Sequence, residues 1–472
     1  MRLTTVARMA VPDGVVHRYA TNVTPGQGQC SPLSFDQARH ASLGRRAGSW
    51  MAVAFRLPFP ADRDLVARAW LAVVARHGTL RTVIDDGDGD GDLRLRPVVV
   101  GPGCWERPAA EPGEDPRAVL RRVFDDACCP FAEPSHALCL VEPDDPGERP
   151  VVVIGLDHCH VDAWSLLVLL RDFCSCLDDL ACGLEPGTCL PPAAPFGEHT
   201  RELAARPPAP AHVHERWAGI LARGGGEMPV FPLGLGELSP PPAEVVEVRD
   251  VLDPDGMAAF ERAAAAEGVR MIALALAEMT AVLRRRSGVG LRAVLPVHSR
   301  HDERWHDSVG WFITNSVIEC HDPDPRACAA AVREAVDLGS HALGPILEPH
   351  GGMPHTPGMF AISWLDHRRL PVDVDLTLQP QHVSAAIRTN GVMVWFVVNG
   401  SGLHVRCRFP ETPEACASVG GWLDELCDGL AGWGRRAPDA SSRAPQVSGA
   451  GRVGLPCPGP AGATPRPASA RA

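Results

Sequence analysis

The sequence predicts an α/β protein of two lobes, and two observations carry that reading. The run Val151 to Leu156 is β-branched and nearly continuous, as a strand covered on both faces is. It passes directly into Leu166, Leu167, Leu169, Leu170 and Phe173 at helical spacing. From Ala243 the same strand-and-helix grammar starts again, after a Pro- and Gly-rich interval.

In chain order, residues 1–29 read as a leader segment without the apolar core of a signal peptide. Residues 30–195 form the first lobe, closed by Leu190-Pro-Pro-Ala-Ala-Pro195. A connector spans 196–242 and holds Ala205-Arg-Pro-Pro-Ala-Pro-Ala-His212, Trp217 and Gly224-Gly-Gly226. The second lobe spans 243–436, with strands at Val245 to Val251 and Leu291 to Val297 and helices at Pro254 to Glu267 and Met271 to Arg285. Residues 437–472 are Pro, Ala, Gly and Ser with almost no large apolar side chain, a composition that predicts disorder.

A chain of 472 residues with 45% hydrophobic content can bury a large core. A net charge of -12 argues against a nucleic-acid partner, since phosphates are gripped by clustered basic groups. All 45 basic residues are Arg, which fits a GC-rich coding bias and excludes Schiff-base chemistry and a P-loop lysine. No apolar run approaches the ~20 residues of a membrane helix, so no membrane partner and a cytoplasmic location are expected. The 16 cysteines are scattered through core-like segments (Cys139, Cys174, Cys320, Cys407) with no Cys-x-x-Cys, so reduced thiols are expected and no structural zinc.

The stretch Asp157-His158-Cys159-His160-Val161-Asp162-Ala163-Trp164-Ser165 lies where the strand gives way to the helix. An imidazole at such a turn can face a cavity, and its ordinary pKa of about 6.5 makes the neutral ring a proton acceptor. Asp157, on a strand, points to the face opposite its neighbour. Two other features take the plainer reading. Asp86-Gly-Asp-Gly-Asp-Gly-Asp92 opens like a calcium loop but has Pro97 where the bidentate Glu belongs, so it reads as a solvated turn. His298, His301 and His306 read as surface loop residues.

The histidine stretch resembles the His-His-x-x-x-Asp-Gly motif of nonribosomal peptide synthetase condensation domains, with Asp157 for the first His, His158 for the second, then Asp162 and Ala163 for Gly, followed by Trp164 and Ser165. Asp157, Asp162 and Ser165 also satisfy the Asp-x-x-x-x-Asp-x-x-Ser pattern of heterocyclisation domains. His158-x-His160-x-Asp162 matches metallo-β-lactamase-like hydrolases until Ala163. Further segments follow the condensation-domain order. Ser34-Phe-Asp-Gln37-Ala-Arg39 is similar to Ser-x-Ala-Gln-x-Arg, and Arg76-His77-Gly78-Thr79-Leu80-Arg81-Thr82 to Arg-His-Glu-x-Leu-Arg-Thr. Leu295-Pro-Val-His-Ser-Arg300 resembles the Pro-Val-x-x-Arg strand end, and Val309-Gly310-Trp311-Phe312-Ile313-Thr314-Asn315 resembles Ile-Gly-x-Phe-Val-Asn-Thr. Ile362 to Arg368 looks more like polyketide-associated acyltransferases.

The resemblance implies two chloramphenicol acetyltransferase-like α/β sandwich lobes in a V, with an active-site tunnel between them. It makes His158 the catalytic residue. Asp162, paired with Arg300, and Asp157 are its structural supports; Trp164, Ser165, Trp311, Asn315 and Ser363 line the tunnel or position substrate, Ser363 as an oxyanion donor. No metal and no bound cofactor are implied. The donor is an acyl or aminoacyl thioester on the phosphopantetheine of a separate acyl or peptidyl carrier protein, or on coenzyme A. The acceptor is a small-molecule amine or alcohol, giving an amide or ester in natural-product biosynthesis. With no adenylation, thiolation or thioesterase signature beside these segments, the enzyme is expected to act in trans. Alternatives are heterocyclisation, zinc hydrolysis and a non-catalytic relative that docks carrier proteins.

Overall fold

The computed structural model describes residues 2–85 and 93–435, so the acidic turn at 86–92 and the tail at 437–472 lie outside the described residues. Two sheets organise the rest. The first half of the chain supplies β1 (Arg2–Thr5), β2 (Gly14–Pro25), β3 (Ser31–Pro32), α1 (Phe35–Ala41), β4 (Trp50–Arg56), α2 (Arg63–Arg76), β5 (Thr82–Asp85) and β6 (Arg94–Glu106). It continues through α3 (Pro116–Ala127), β7 (His136–Pro143), β8 (Val151–Asp157) and α4 (Ala163–Ala181). Helices α5 (Phe196–Ala204) and α6 (Ala211–Arg223) follow. The second half supplies β9 (Glu244–Leu252), α7 (Pro254–Ala266), α8 (Met271–Ser287), β10 (Leu291–His298), β11 (Ile313–Cys320), α9 (Pro325–Gly339) and α10 (Leu343–Leu347). It ends with β12 (Phe360–Asp366), β13 (Gln381–Ser384), β14 (Val392–Asn399), β15 (Gly402–Pro410) and α11 (Pro413–Arg435).

Asp-Pro pairs open three of the helices. Asp115, Asp253 and Asp324 each cap a helix through the side-chain carboxylate, and the following proline starts α3, α7 and α9 with a preset φ. Strand β8 is buried along its whole length, as its unbroken apolar run predicts, between β4 and β7. One face of its sheet packs on α2 and α4 through Trp70, Leu166 and Phe173, and the other on α3 through Leu120 and Phe124. Gly155 interrupts the run because a Cβ there would lie 2.5 Å from the Phe124 ring.

The first sheet runs β1-β13-β4-β8-β7-β2-β6-β3, with β5 also on β6, and the second runs β11-β10-β12-β14-β15-β9. Helices α7, α8 and α11 share a core with one face of the second sheet, and α6 and α10 pack on the other. This arrangement corrects three sequence boundaries. The leader at 1–29 is not separate: β1 and β2 are strands of the first sheet, where Val16 and Tyr19 are buried. The connector at 196–242 contains two helices, α5 and α6, and Trp217 of α6 is fully buried in the core against the second sheet. Strand β13 lies within the second lobe's sequence range yet pairs with β1 and β4 of the first sheet. Four residues bounded by polar Gln381 and Ser384 carry too little periodicity to announce a strand, still less which sheet receives it.

The described cysteines form no disulfide; Cys139, Cys320 and Cys407 are buried and Cys174 is half-buried. His298 and His301 are exposed. Among the described residues no helix is long and apolar enough to cross a membrane.

Candidate active site

After Asp157 the chain leaves the sheet in a single 3-10 turn, His158–His160, before α4 begins. The His158 amide donates to the Ser49 carbonyl at 2.8 Å, which fixes the backbone at the sheet end. Its ring lies over Trp311, with centroids 4.4 Å apart, and 6.3 Å from the ring of His40. Burial, reinforced by His40, holds the imidazole pKa below its ordinary value, so the ring is neutral at pH 7. A hydrogen bond to its own backbone and the carboxylates of Asp157 and Asp162 oppose that lowering.

Asp157, the last residue of β8, is fully buried. Its carboxylate accepts from the Ser49 hydroxyl at 2.6 Å, from His40 Nε2 at 3.0 Å and from the Cys159 amide at 3.0 Å. Burial alone would raise this carboxyl's pKa; the donors, His40 foremost, hold it at about 2. Arg46 lies 2.8 Å from His40 Nδ1, on the side of the ring away from Asp157. His40 was missed in the sequence. Its only signal is that it follows directly on the Ser34 to Arg39 segment.

His160 goes a different way. It is 2% exposed, and its Nδ1 lies 3.3 Å from the Thr79 hydroxyl in the first-lobe interior; burial pushes its pKa down to about 4. The two histidines of the turn therefore have no common partner. Among the described residues no three His, Cys, Asp or Glu side chains are grouped to hold a metal ion.

Asp162 joins the histidine turn to the second lobe. It caps α4 through the Ser165 amide at 2.7 Å, accepts from the Phe312 amide at 3.1 Å and pairs with Arg300 at 3.2 Å. Arg300 is buried between Phe312 and Trp164, its guanidinium 3.9 and 5.0 Å from their ring centroids, and donates to Ser165 Oγ and the Ser308 carbonyl at 2.7 Å each. Ser165 Oγ also donates to the Gly310 carbonyl at 2.9 Å and accepts the Gly310 amide at 3.1 Å. The Trp164 indole donates to the His306 carbonyl at 3.1 Å. Gly310 is required because a Cβ would lie 2.2 Å from Phe196.

The other motif residues hold this frame. Ser34 and Gln37 form a reciprocal cap on α1, and the Gln37 amide donates to the Cys159 carbonyl at 2.7 Å, gripping the turn from behind. Arg76 and His77 both bind Asp172 of α4, at 2.7 and 2.8 Å. Asn315 donates to Asp36 at 2.8 Å, so it ties β11 to α1; Asp36 is buried, and burial raises its pKa. Ser363 sits on β12 opposite Trp395, so the two side chains share one face of the second sheet, and the residue also borders a small cleft with Ile272, Ala275 and Phe396.

Taken together, the two sheets and their helices form the fold of condensation domains. No family model matches the chain. Acyltransferase PapA3 of Mycobacterium tuberculosis is 24% identical over 440 residues, covering 88% of this chain and 91% of that protein. The probable nonribosomal peptide synthetase CymA of Salinispora arenicola is 27% identical over 402 residues, 79% of this chain but 5% of that much longer protein. Among solved structures, the PapA2 acyl transferase superposes with a TM-score of 0.79 at 20% identity, covering 92% of this chain and 100% of that one. The first condensation domain of the calcium-dependent antibiotic synthetase gives 0.64 at 16% identity, covering 87% and 98%. The chain is thus similar in sequence to a PapA-type acyltransferase and to part of a nonribosomal peptide synthetase, and similar in fold to condensation domains.

Proposed function

We propose that this protein transfers an acyl or aminoacyl group from a thioester, carried on the phosphopantetheine of a carrier protein or on coenzyme A, to an amine or hydroxyl. The observation that supports this best is His158: a half-buried, neutral imidazole on Trp311, at the sheet end that meets the second lobe. In the reaction His158 accepts the proton of the acceptor N–H or O–H as that heteroatom attacks the thioester carbonyl. The new C–N or C–O bond forms, the C–S bond breaks, and the departing thiolate takes the proton back from the imidazolium. Two bound reactants aligned on one base convert a bimolecular encounter into an effectively unimolecular step. Asp162 and Arg300 act by holding the turn against the second lobe.

The geometry weighs against two alternatives. Heterocyclisation asks a carboxylate for acid or base work, but Asp157 is occupied by three donors and Asp162 by Arg300, Phe312 and Ser165. A dinuclear-hydrolase arrangement asks His158 and His160 to converge, and His160 is instead held at Thr79. The test is incubation with acyl-loaded carrier proteins, or acyl-coenzyme A, and a panel of amines and alcohols, read by intact-protein and product mass spectrometry. Acyl loss from the donor matched by amide or ester product is expected. A product lighter by one further water would establish heterocyclisation, and carrier binding without turnover would leave a docking protein.

A further inference from the structure

A second group of buried polar side chains lies beside the histidine turn and plays no part in the chemistry above. On β15, Val405, Cys407 and Phe409 enter the core with α8 and α11, so alternation turns Arg406 and Arg408 to the opposite face of the second sheet. Arg406 is 2% and Arg408 8% exposed. Both guanidiniums reach across to the exchanged strand β13 and donate to one oxygen, Ser384 Oγ, at 2.9 and 3.2 Å. Trp395, opposite Arg406 in register, lies beneath them at 4.5 and 5.7 Å.

The place is close to the reacting centre. Ser384 is directly opposite Met51 of β4, and Met51 is opposite Leu156 of β8, so the three share one face of the first sheet. At about 4.8 Å per strand, Ser384 lies about 10 Å from Leu156, which precedes His158 by two residues.

The group carries more donors than it can satisfy. Glu244 pairs with Arg408 at 2.6 Å, and it is the one carboxylate paired with either guanidinium among the described residues. Arg406 Nε has no hydrogen-bond partner among those residues, and neither ring nitrogen of His382, on the same face of β13, has one. Burial first, and then the charge of Arg408, pushes the Arg406 pKa down to about 9. Two buried guanidiniums against one carboxylate leave a net positive charge out of water, a costly arrangement unless an anion completes it. A planar carboxylate matches a guanidinium fork through two parallel hydrogen bonds.

We propose that Arg406 and Arg408, with Ser384, recognise a carboxylate on one of the two reactants, either in the acyl group or in the acceptor. This rests on the acyl-transfer reading. The short distance to His158 favours a carboxylate within a small substrate over the phosphate at the far end of a pantetheine arm.

Two matched comparisons on the full chain test it. Succinyl and butyryl thioesters of coenzyme A compare donors, and amino acids against their amides compare acceptors. One comparison should favour the carboxylate by about 10–100-fold in kcat/KM, the size of one or two charge-assisted hydrogen bonds, and Arg406→Gln should remove that preference. A preference among donors assigns the carboxylate to the acyl group; one among acceptors assigns it to the acceptor. No preference in either, or one that survives Arg406→Gln, overturns the proposal. If Arg406→Gln does not fold, Arg406→Lys takes its place, keeping the charge and losing the fork. If no acyl transfer occurs at all, the acyltransferase reading fails, and thermal stabilisation by succinate over succinamide decides the anion site alone. Selective stabilisation lost in Arg406→Lys supports it, and none overturns it.

Discussion

At the residue scale, two histidines separated by one residue have opposite fates, and that difference is measurable. His158→Ala should lower acyl transfer by roughly 10²–10⁴-fold, the usual worth of a positioned base, while leaving the fold intact. His160→Ala should chiefly lower the melting temperature, because His160 packs beside Thr79 in the interior. Equal loss of activity in both would return the paired-histidine hydrolase to consideration. The acid limb of kcat/KM should have its midpoint below the ordinary imidazole value of about 6.5, since burial and His40 both disfavour the charged ring of His158. A midpoint at or above that value would mean that another group titrates. The sequence showed His158 through its strand-to-helix turn, but not His40, because nothing in a short helix announces which side chain will reach a strand end over a hundred residues later.

At the scale of elements, the Asp162–Arg300 pair decides how α4, β10 and the Val309 to Asn315 segment sit together. Asp162→Asn and Arg300→Ala should each cost about 3–5 kcal/mol of stability, since either leaves a buried group without its counterpart. The double variant should lose less than the sum of the two. Chemical denaturation of the three proteins checks this, and strict additivity would show that the two side chains act separately. Gly310→Ala tests the same junction from the other side. Its Cβ would press on the Phe196 ring, so a loss of about 1–3 kcal/mol is expected, with lower acyl transfer as Trp311 is displaced from His158. This junction was readable as a set of motif segments in order. What the segments do mechanically was not, because the Phe312 amide and the Gly310 carbonyl take part through the backbone and leave no mark in side-chain identity.

For the whole molecule, buried neutral histidines set the response to acid. Burial holds His136 and His160 at about 4, whereas in the unfolded chain both titrate near 6.5. Between those values the unfolded state binds more protons than the native one, so stability falls as pH falls from about 6.5 toward about 4. Each contributes on the order of 3 kcal/mol to that loss. Urea midpoints at pH 7 and pH 5 measure it, and equal midpoints would contradict it. The two-lobe α/β plan was legible because β8 is an unbroken apolar run of strand length and β9, α7, α8 and β10 each extend over eight or more residues. The first two strands and β13 were not, since β1 and β13 have four residues each and β2 mixes polar and apolar side chains without strict alternation.

Strand β1 pairs with β13, so Arg2 to Thr5 find their neighbours at Gln381 to Ser384. On a ribosome the chain emerges at about 5–20 residues per second, and more than 370 residues separate Thr5 from Gln381 and must be made before that neighbour exists. Throughout that interval the edge of β4 that receives β13 is an open row of amide and carbonyl groups, free to capture another nascent chain. Slower translation lengthens the exposure. Expression yield should therefore depend on synthesis rate and on chaperones that shield strand edges more steeply than it would for a protein whose lobes close in sequence.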